Sequence, residues 1–365
     1  MPRRLFTLII PLLASIALLA AACTDDDASD STSSTSSDTT TSAAVRPADA
    51  TPAAAPRPVY EAAEITFVAG FRPQANLPFV AVYVAAAEGY FADEQLTVQM
   101  EHSPRGGHLQ LLLEKEIEFT TATASQALRR RADELPVRSV ALFGQRGDQG
   151  YVVMADSGIE GPADFAGRSV GFKGSVIPAE LKAMLAAVDL TEDDINLQNV
   201  PFDVRPFIEG QVDVFPVFLN NEPDQIRNEG VEITIIDPTE FGVPTLGLTF
   251  LAHEDTIADD PQLVERFLRA TLRGAAFAAA NIDAAVEITL QHAEGADPAH
   301  QRFLLETDLE NAQRADGIGR GTLDQWDALE ELLMRYEVIE VDVDTALAFD
   351  GSFVDALYGA DGVLK

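Results

Sequence analysis

Asn220, Asn221, Glu222 and Pro223 close the β-branched and aromatic run 212–219, and theirs is the chemistry the rest of the chain would have to position. A carboxylate can accept two hydrogen bonds from an amino-heteroaromatic ring, and a primary amide can both donate and accept. Val212, Val214, Val217 and Phe218 suit a strand buried on both faces, and Pro223 suits the first turn of a following helix. The polar corner then falls at the carboxyl end of a parallel strand, where open α/β sheets bind ligands. A second reading stays open, in which Asn220 or Asn221 caps the helix and Glu222 complements its dipole.

Other polar groups fall at similar places. Arg72, Gln74 and Asn76 lie between a strand and a helix, so their side chains should face a cleft, although Asn76 also suits the N-cap of the helix at Leu77-Pro78. Thr120, Thr121, Thr123 and Ser125 end a strand and begin a helix, where hydroxyls serve a ligand or the backbone. Gln145, Asp148 and Gln149 occupy a glycine-rich connection that reads either as a cleft-lining hinge or as a solvated turn. In Gly171-Phe172-Lys173-Gly174-Ser175 the glycines suit a strand-to-helix turn better than a phosphate cradle, and no G-x-x-x-x-G-K-[ST] loop occurs. Phe71, Phe79, Tyr83, Phe172, Phe218 and Phe241 include candidates for stacking on a flat ring; Phe172 and Phe218, near strand ends, are the foremost, whereas Phe79 and Tyr83 at helical spacing belong to a core. His102, His108, His253, His292 and His300 show no metal spacing, so neither a metal nor a cofactor is expected.

The elements that must carry these groups alternate. A strand at 64–68 leads to a helix ending at Gly89. Strands follow at 96–100, 119–122 and 137–143, with helices at 107–113 and 125–134 between them. A second set has strands near 151–154, 169–172, 195–200, 212–219 and 232–236, with helices at 164–167 and 178–188. One more strand, 246–252, precedes an all-helical tail with helices at 261–281, 283–292 and 323–336. Such alternation predicts an α/β fold with a mostly parallel sheet covered on both faces.

Length and charge bound the partners. The 365 residues are 47% hydrophobic, enough for two ordinary domains, and the formal charge of −34 argues against nucleic acid. Arg3 and Arg4, the apolar run 5–19 and Ala20-Ala21-Ala22 precede the single cysteine, Cys23, in the manner of a secretory signal. Residues 24–58 are Ser, Thr, Asp, Ala and Pro, a tether with a reach on the order of 35 Å. With one cysteine in the chain, a disulfide, a cysteine zinc site and thiol catalysis in the mature body are all excluded.

The leader resembles a bacterial lipoprotein signal, with Cys23 as the lipid-bearing residue, although Ala20 stands where that pattern prefers leucine. Farther on, Arg72-Pro73-Gln74-Ala75-Asn76, Glu88-Gly89-Tyr90-Phe91, Asp156-Ser157-Gly158-Ile159, Phe165 to Gly171, Asn221-Glu222-Pro223 and Phe241-Gly242-Val243-Pro244 come in consistent order. Together they resemble the solute-binding proteins related to thiamine-pyrimidine synthase, a branch that also includes sulfonate and nitrate binders. The resemblance implies a two-lobed, type II periplasmic-binding-protein-like fold with a ligand cleft at the hinge and a helical C-terminal part. It implies residues 1–22 as signal, 23–60 as tether, 64–145 with 246–365 as lobe one, and 146–245 as lobe two.

The implied function is capture of a vitamin-like heteroaromatic, a thiamine pyrimidine precursor or riboflavin, for an ABC permease and its ATPase. The protein would be held at the membrane by lipid on Cys23 and would not be an enzyme. The 72–76 loop and the 145–149 segment resemble the riboflavin-binding branch. Arg72, Gln74, Asn76, Thr121, Thr123, Gln145, Gln149, Phe172, Lys173, Phe218, Asn221 and Glu222 are the expected ligand contacts. The alternatives are a pyrimidine synthase, whose iron-binding cysteine cluster this chain lacks, and a binder of sulfonate-type anions.

Overall fold

Alternating burial in β1 (Ala63–Ala69) turns Ile65 and Phe67 into the interior. The structure, a computed structural model, describes residues 60–103, 106–174 and 177–365; the expected signal, Cys23 and the tether up to residue 59 lie outside the described residues. From β1 the chain enters α1 (Leu77–Ala87), buried along nearly all its length because it is apolar on every face. It then forms β2 (Leu96–His102), α2 (His108–Leu113), β3 (Phe119–Thr123), α3 (Ala124–Ala132) and β4 (Val137–Leu142). α3 starts at a capping box in which the Thr123 hydroxyl accepts from the Gln126 amide and the Gln126 side chain accepts from Thr123 N.

After β4 the chain builds β5 (Gln149–Met154), β6 (Ser169–Phe172), α4 (Ala179–Ala186), β7 (Asn196–Asn199), β8 (Phe215–Phe218), α5 (Glu222–Asn228) and β9 (Ile233–Ile236). It then returns to the first sheet as β10 (Leu248–His253), giving the order β2-β1-β3-β10-β4. The outgoing and returning connections touch at two glycines. A Cβ on Gly144 would lie 2.6 Å from the Gly247 Cα, so a side chain at either position would force the connections apart.

The helical tail is α6 (Pro261–Ala280), α7 (Ile282–His292), α8 (Pro298–Ala312) and α9 (Leu323–Arg335). α6 lies against α1 at Gly274, where a Cβ would overlap the Ala81 carbonyl. Beneath the first sheet Phe119 stacks on Phe267 with centroids 4.0 Å apart, and Phe67 and Phe250 close the same cluster. No helix among the described residues is long and apolar enough to cross a membrane.

Two sequence expectations change. The sheet is only partly parallel: β1 runs parallel to β2 and β3, but β10 is antiparallel to both its neighbours, and β5 is antiparallel to β8 and β9. Apolar alternation specifies a buried strand and carries no information on its direction. The run 212–219 also contracts to a four-residue strand. Its first half follows β6 through a parallel bridge between Val170 and Val214, and only 215–218 pair with β5. Pro216, which lacks a donor, packs against Gly171, where a Cβ would lie 2.8 Å from the proline Cδ.

Candidate ligand site

The connection after β1 carries polar side chains that bond in sequence. Gly70 N donates to Thr121 Oγ1 (2.9 Å), Arg72 Nε to Gln74 Oε1 (3.4 Å), and Gln74 Nε2 to Asn76 Oδ1 (2.5 Å). Asn76 occupies the N-cap of α1 without a capping side-chain bond; its amide donates instead to Asp308 Oδ2 on α8 (3.3 Å). Asp308 also accepts from Leu77 N (2.9 Å) and, across the site, from Asn220 Nδ2 (2.7 Å). Loss of solvent around it raises the Asp308 pKa against the pull of these three donors.

The Asn-Asn-Glu-Pro corner closes the opposite wall. Asn221 sits at the N-cap of α5, again with no capping bond, and its Oδ1 lies 2.8 Å from Gln225 Nε2 and 3.0 Å from His300 Nε2. His300 Nδ1 is 2.7 Å from Asp224 Oδ2, so α8 is tied to α5 through one imidazole. Glu222 is buried and already engaged: Oε1 takes Lys173 Nζ at 2.5 Å and Oε2 takes Phe218 N at 2.7 Å. The Lys173 ammonium stands 5.1–5.6 Å from the ring centres of Phe202, Phe215 and Phe218. Burial lowers its pKa while Glu222 pulls the other way.

Between these walls lies a cavity of about 650 Å³, a size that suits a small organic ligand. Arg72, Gln74, Asn76, Thr121, Thr123, Phe218, Asn221 and Glu222 line it. Gln149 and Lys173 face a smaller adjoining cavity instead. Phe172 lines neither, because strand alternation turns it away from the face that Lys173 takes up. Gln145 turns toward the helical tail, donating to the carbonyls of Leu142 and Arg320 and accepting from Arg314 and Gln325. The Thr123 hydroxyl serves its capping box.

Sequence reasoning did not single out Phe202, Gln126, Gln225 or Asp308, and considered His108 only for metal spacing. His108 is buried with Nδ1 unpartnered, and burial with nearby Arg130 lowers its pKa. Asp148 lines the cavity; although the residue is half-buried, loss of solvent pushes its carboxyl up to about 7, with Asp308 adding to the rise. The available signal for Phe202 was an aromatic between Pro201 and Asp203 in the connection after a strand. Among the described residues the two exposed phenylalanines, Phe71 at 44% and Phe202 at 65%, both line this cavity. No group of three or more metal-ligating side chains is found among the described residues.

Residues 76–285 match the protein family described as NMT1/THI5 like. The riboflavin-binding protein RibY of Chloroflexus aurantiacus is 30% identical over 321 residues, covering 84% of this chain and 90% of that protein. The formylaminopyrimidine-binding protein of Halalkalibacterium halodurans is 26% identical, covering 73% of this chain and 84% of that protein. The crystal structure of the periplasmic aliphatic sulphonate binding protein SsuA from Escherichia coli superposes with a TM-score of 0.62 at 14% identity, covering 78% of this chain and 91% of that one. The α/β fold is therefore that of the periplasmic binding proteins.

Proposed function

The chain belongs to the NMT1/THI5-like family, and from that premise we propose that it is an extracytoplasmic substrate-binding protein that captures a flat, vitamin-like heteroaromatic, riboflavin first, for an ABC permease and its ATPase. The observation that carries the reading is the pair of exposed rings, Phe71 and Phe202, on a cavity whose other polar groups are mostly amides and hydroxyls. Exposed phenylalanine is unfavourable in water and becomes favourable when a ring stacks on it. A sulfonate is a poor fit. Among the described residues Arg72 is the one lysine or arginine lining the cavity, Lys173 and Glu222 neutralise each other, and the ionised form of Asp148 would repel an anion.

Residues 64–145 with 246–365 form one lobe on this reading and 146–245 the other, with the Gly144–Gly247 contact at their hinge. The bonds from Asp308 to Asn220 and from His300 to Asn221 and Asp224 hold the cleft shut, so release to the permease requires them to break. The ligand leaves unchanged; the protein is a carrier and not a synthase. A formylated aminopyrimidine is the second ligand, supported by the formylaminopyrimidine-binding relative.

Calorimetric titration with both compounds, alongside melting curves, tests the reading. Riboflavin at about 100 times its Kd should add about 2.7 kcal/mol of stability and saturate. Neither compound shifting the melting curve would remove the assignment. Retention at the membrane is assigned to lipid on Cys23, so Cys23→Ser should release the protein from the membrane or leave its signal uncleaved. Normal retention of that variant with a cleaved signal would rule the anchor out.

A further inference from the structure

The smaller cavity, about 160 Å³, adjoins the large one and shares Phe202 and Phe218 as walls. Its remaining apolar lining is chiefly proline, Pro178, Pro216 and Pro238, whose rings have little conformational freedom, so these walls hold their shape. Its polar side chains among the described residues are the Lys173 ammonium, the Glu180 carboxyl, the Gln149 amide and the Tyr151 hydroxyl. Tyr151 is 3% exposed, yet among the described residues its hydroxyl has no hydrogen-bond partner, and the Glu180 carboxyl bonds only its own amide. Lys173 has three N–H donors and spends one on Glu222. The chamber thus presents donors and acceptors with unused capacity in a space of about 160 Å³, against about 650 Å³ for the large cavity. A hydroxyl group donates and accepts at once, which makes a chain of hydroxylated carbons the matching chemistry.

Resting on the riboflavin reading above, we infer that this chamber receives a neutral polyhydroxylated side arm of the ligand while the ring occupies the large cavity between Phe71 and Phe202. The arm is neutral because the one lysine lining the chamber among the described residues is already paired with Glu222, while Glu180 leaves a carboxyl over. Phe202, exposed at 65%, stands where ring and arm join and can swing without disturbing the core. The protein therefore selects a ring bearing a polyol over the bare ring and over a phosphorylated arm.

Riboflavin, lumiflavin, which has the ring without the ribityl chain, and flavin mononucleotide are titrated into the wild-type protein and into Tyr151→Phe and Glu180→Gln. Riboflavin is expected to bind at least tenfold more tightly than either of the others. Each substitution should lower the riboflavin-to-lumiflavin preference by about five- to tenfold. Equal affinity for riboflavin and lumiflavin, or variants that weaken both alike, would overturn the chamber assignment and leave the carrier reading standing. Failure of all three flavins to bind would overturn the riboflavin reading and the chamber with it.

Discussion

Lys173→Met is expected to destabilise the protein by about 3–5 kcal/mol, the usual cost of removing one partner of a buried ion pair. The ammonium and the Glu222 carboxylate are 2.5 Å apart, with side chains only 10% and 2% exposed. Without Lys173 the buried carboxylate keeps one donor, Phe218 N. The intact pair need not be a net gain, since burial already lowers the Lys173 pKa. What destabilises is leaving one charge behind. Lys173→Met with Glu222→Gln should therefore recover most of the loss, and denaturant unfolding of the two single variants, the double variant and wild type closes the cycle. A single variant losing under about 1 kcal/mol would mean that solvent reaches the pair. Because Glu222 is held this way, its substitution should cost stability as well as affinity, and affinity alone will not reveal its role.

Asp148→Asn should stabilise the protein at neutral pH. The folded-state pKa of about 7 lies above the ordinary 3.8, so the folded protein holds this proton more tightly than the unfolded chain does. The group costs almost nothing below about pH 3, where both states are protonated. As pH rises toward 7 the unfolded chain ionises first, and stability falls by about 1.4 kcal/mol per pH unit. Above 7 the cost levels off at no more than about 4 kcal/mol, and at less once the solvent that reaches the half-buried side chain is counted. Asparagine keeps the shape and has no charge to desolvate. The variant should match wild type near about pH 3 and exceed it at about pH 8, while ligand affinity falls because Asp148 faces the cavity. Equal stability of the two proteins at both pH values would show that Asp148 keeps an ordinary pKa.

The sequence by itself determined what is encoded over a few neighbouring residues. Apolar alternation in 64–68, helical spacing after Leu77, the threonine cap ahead of α3 and the polar corner at 220–223 all reflect local energetics, and each element formed close to where its residues place it. The α8 helix escaped notice because the side it turns inward carries Gln301 with Leu304 and Leu305, and Asp308 lies partly buried one turn before Ala312, which blurs the apolar stripe that marks a helix. Only the tertiary structure decided what the polar groups do. Lys173 and Glu222 are 49 residues apart, Asn220 and Asp308 88, and Asn76 and Asp308 232. No local pattern specifies such pairs, since each forms only when two distant connections arrive at the same place. Strand direction, the turn of Gln145 toward the helical tail and the exposure of Phe202 were decided in the same way, by closure of the chain around the cavity, where burial and satisfied hydrogen bonds outweigh local preference.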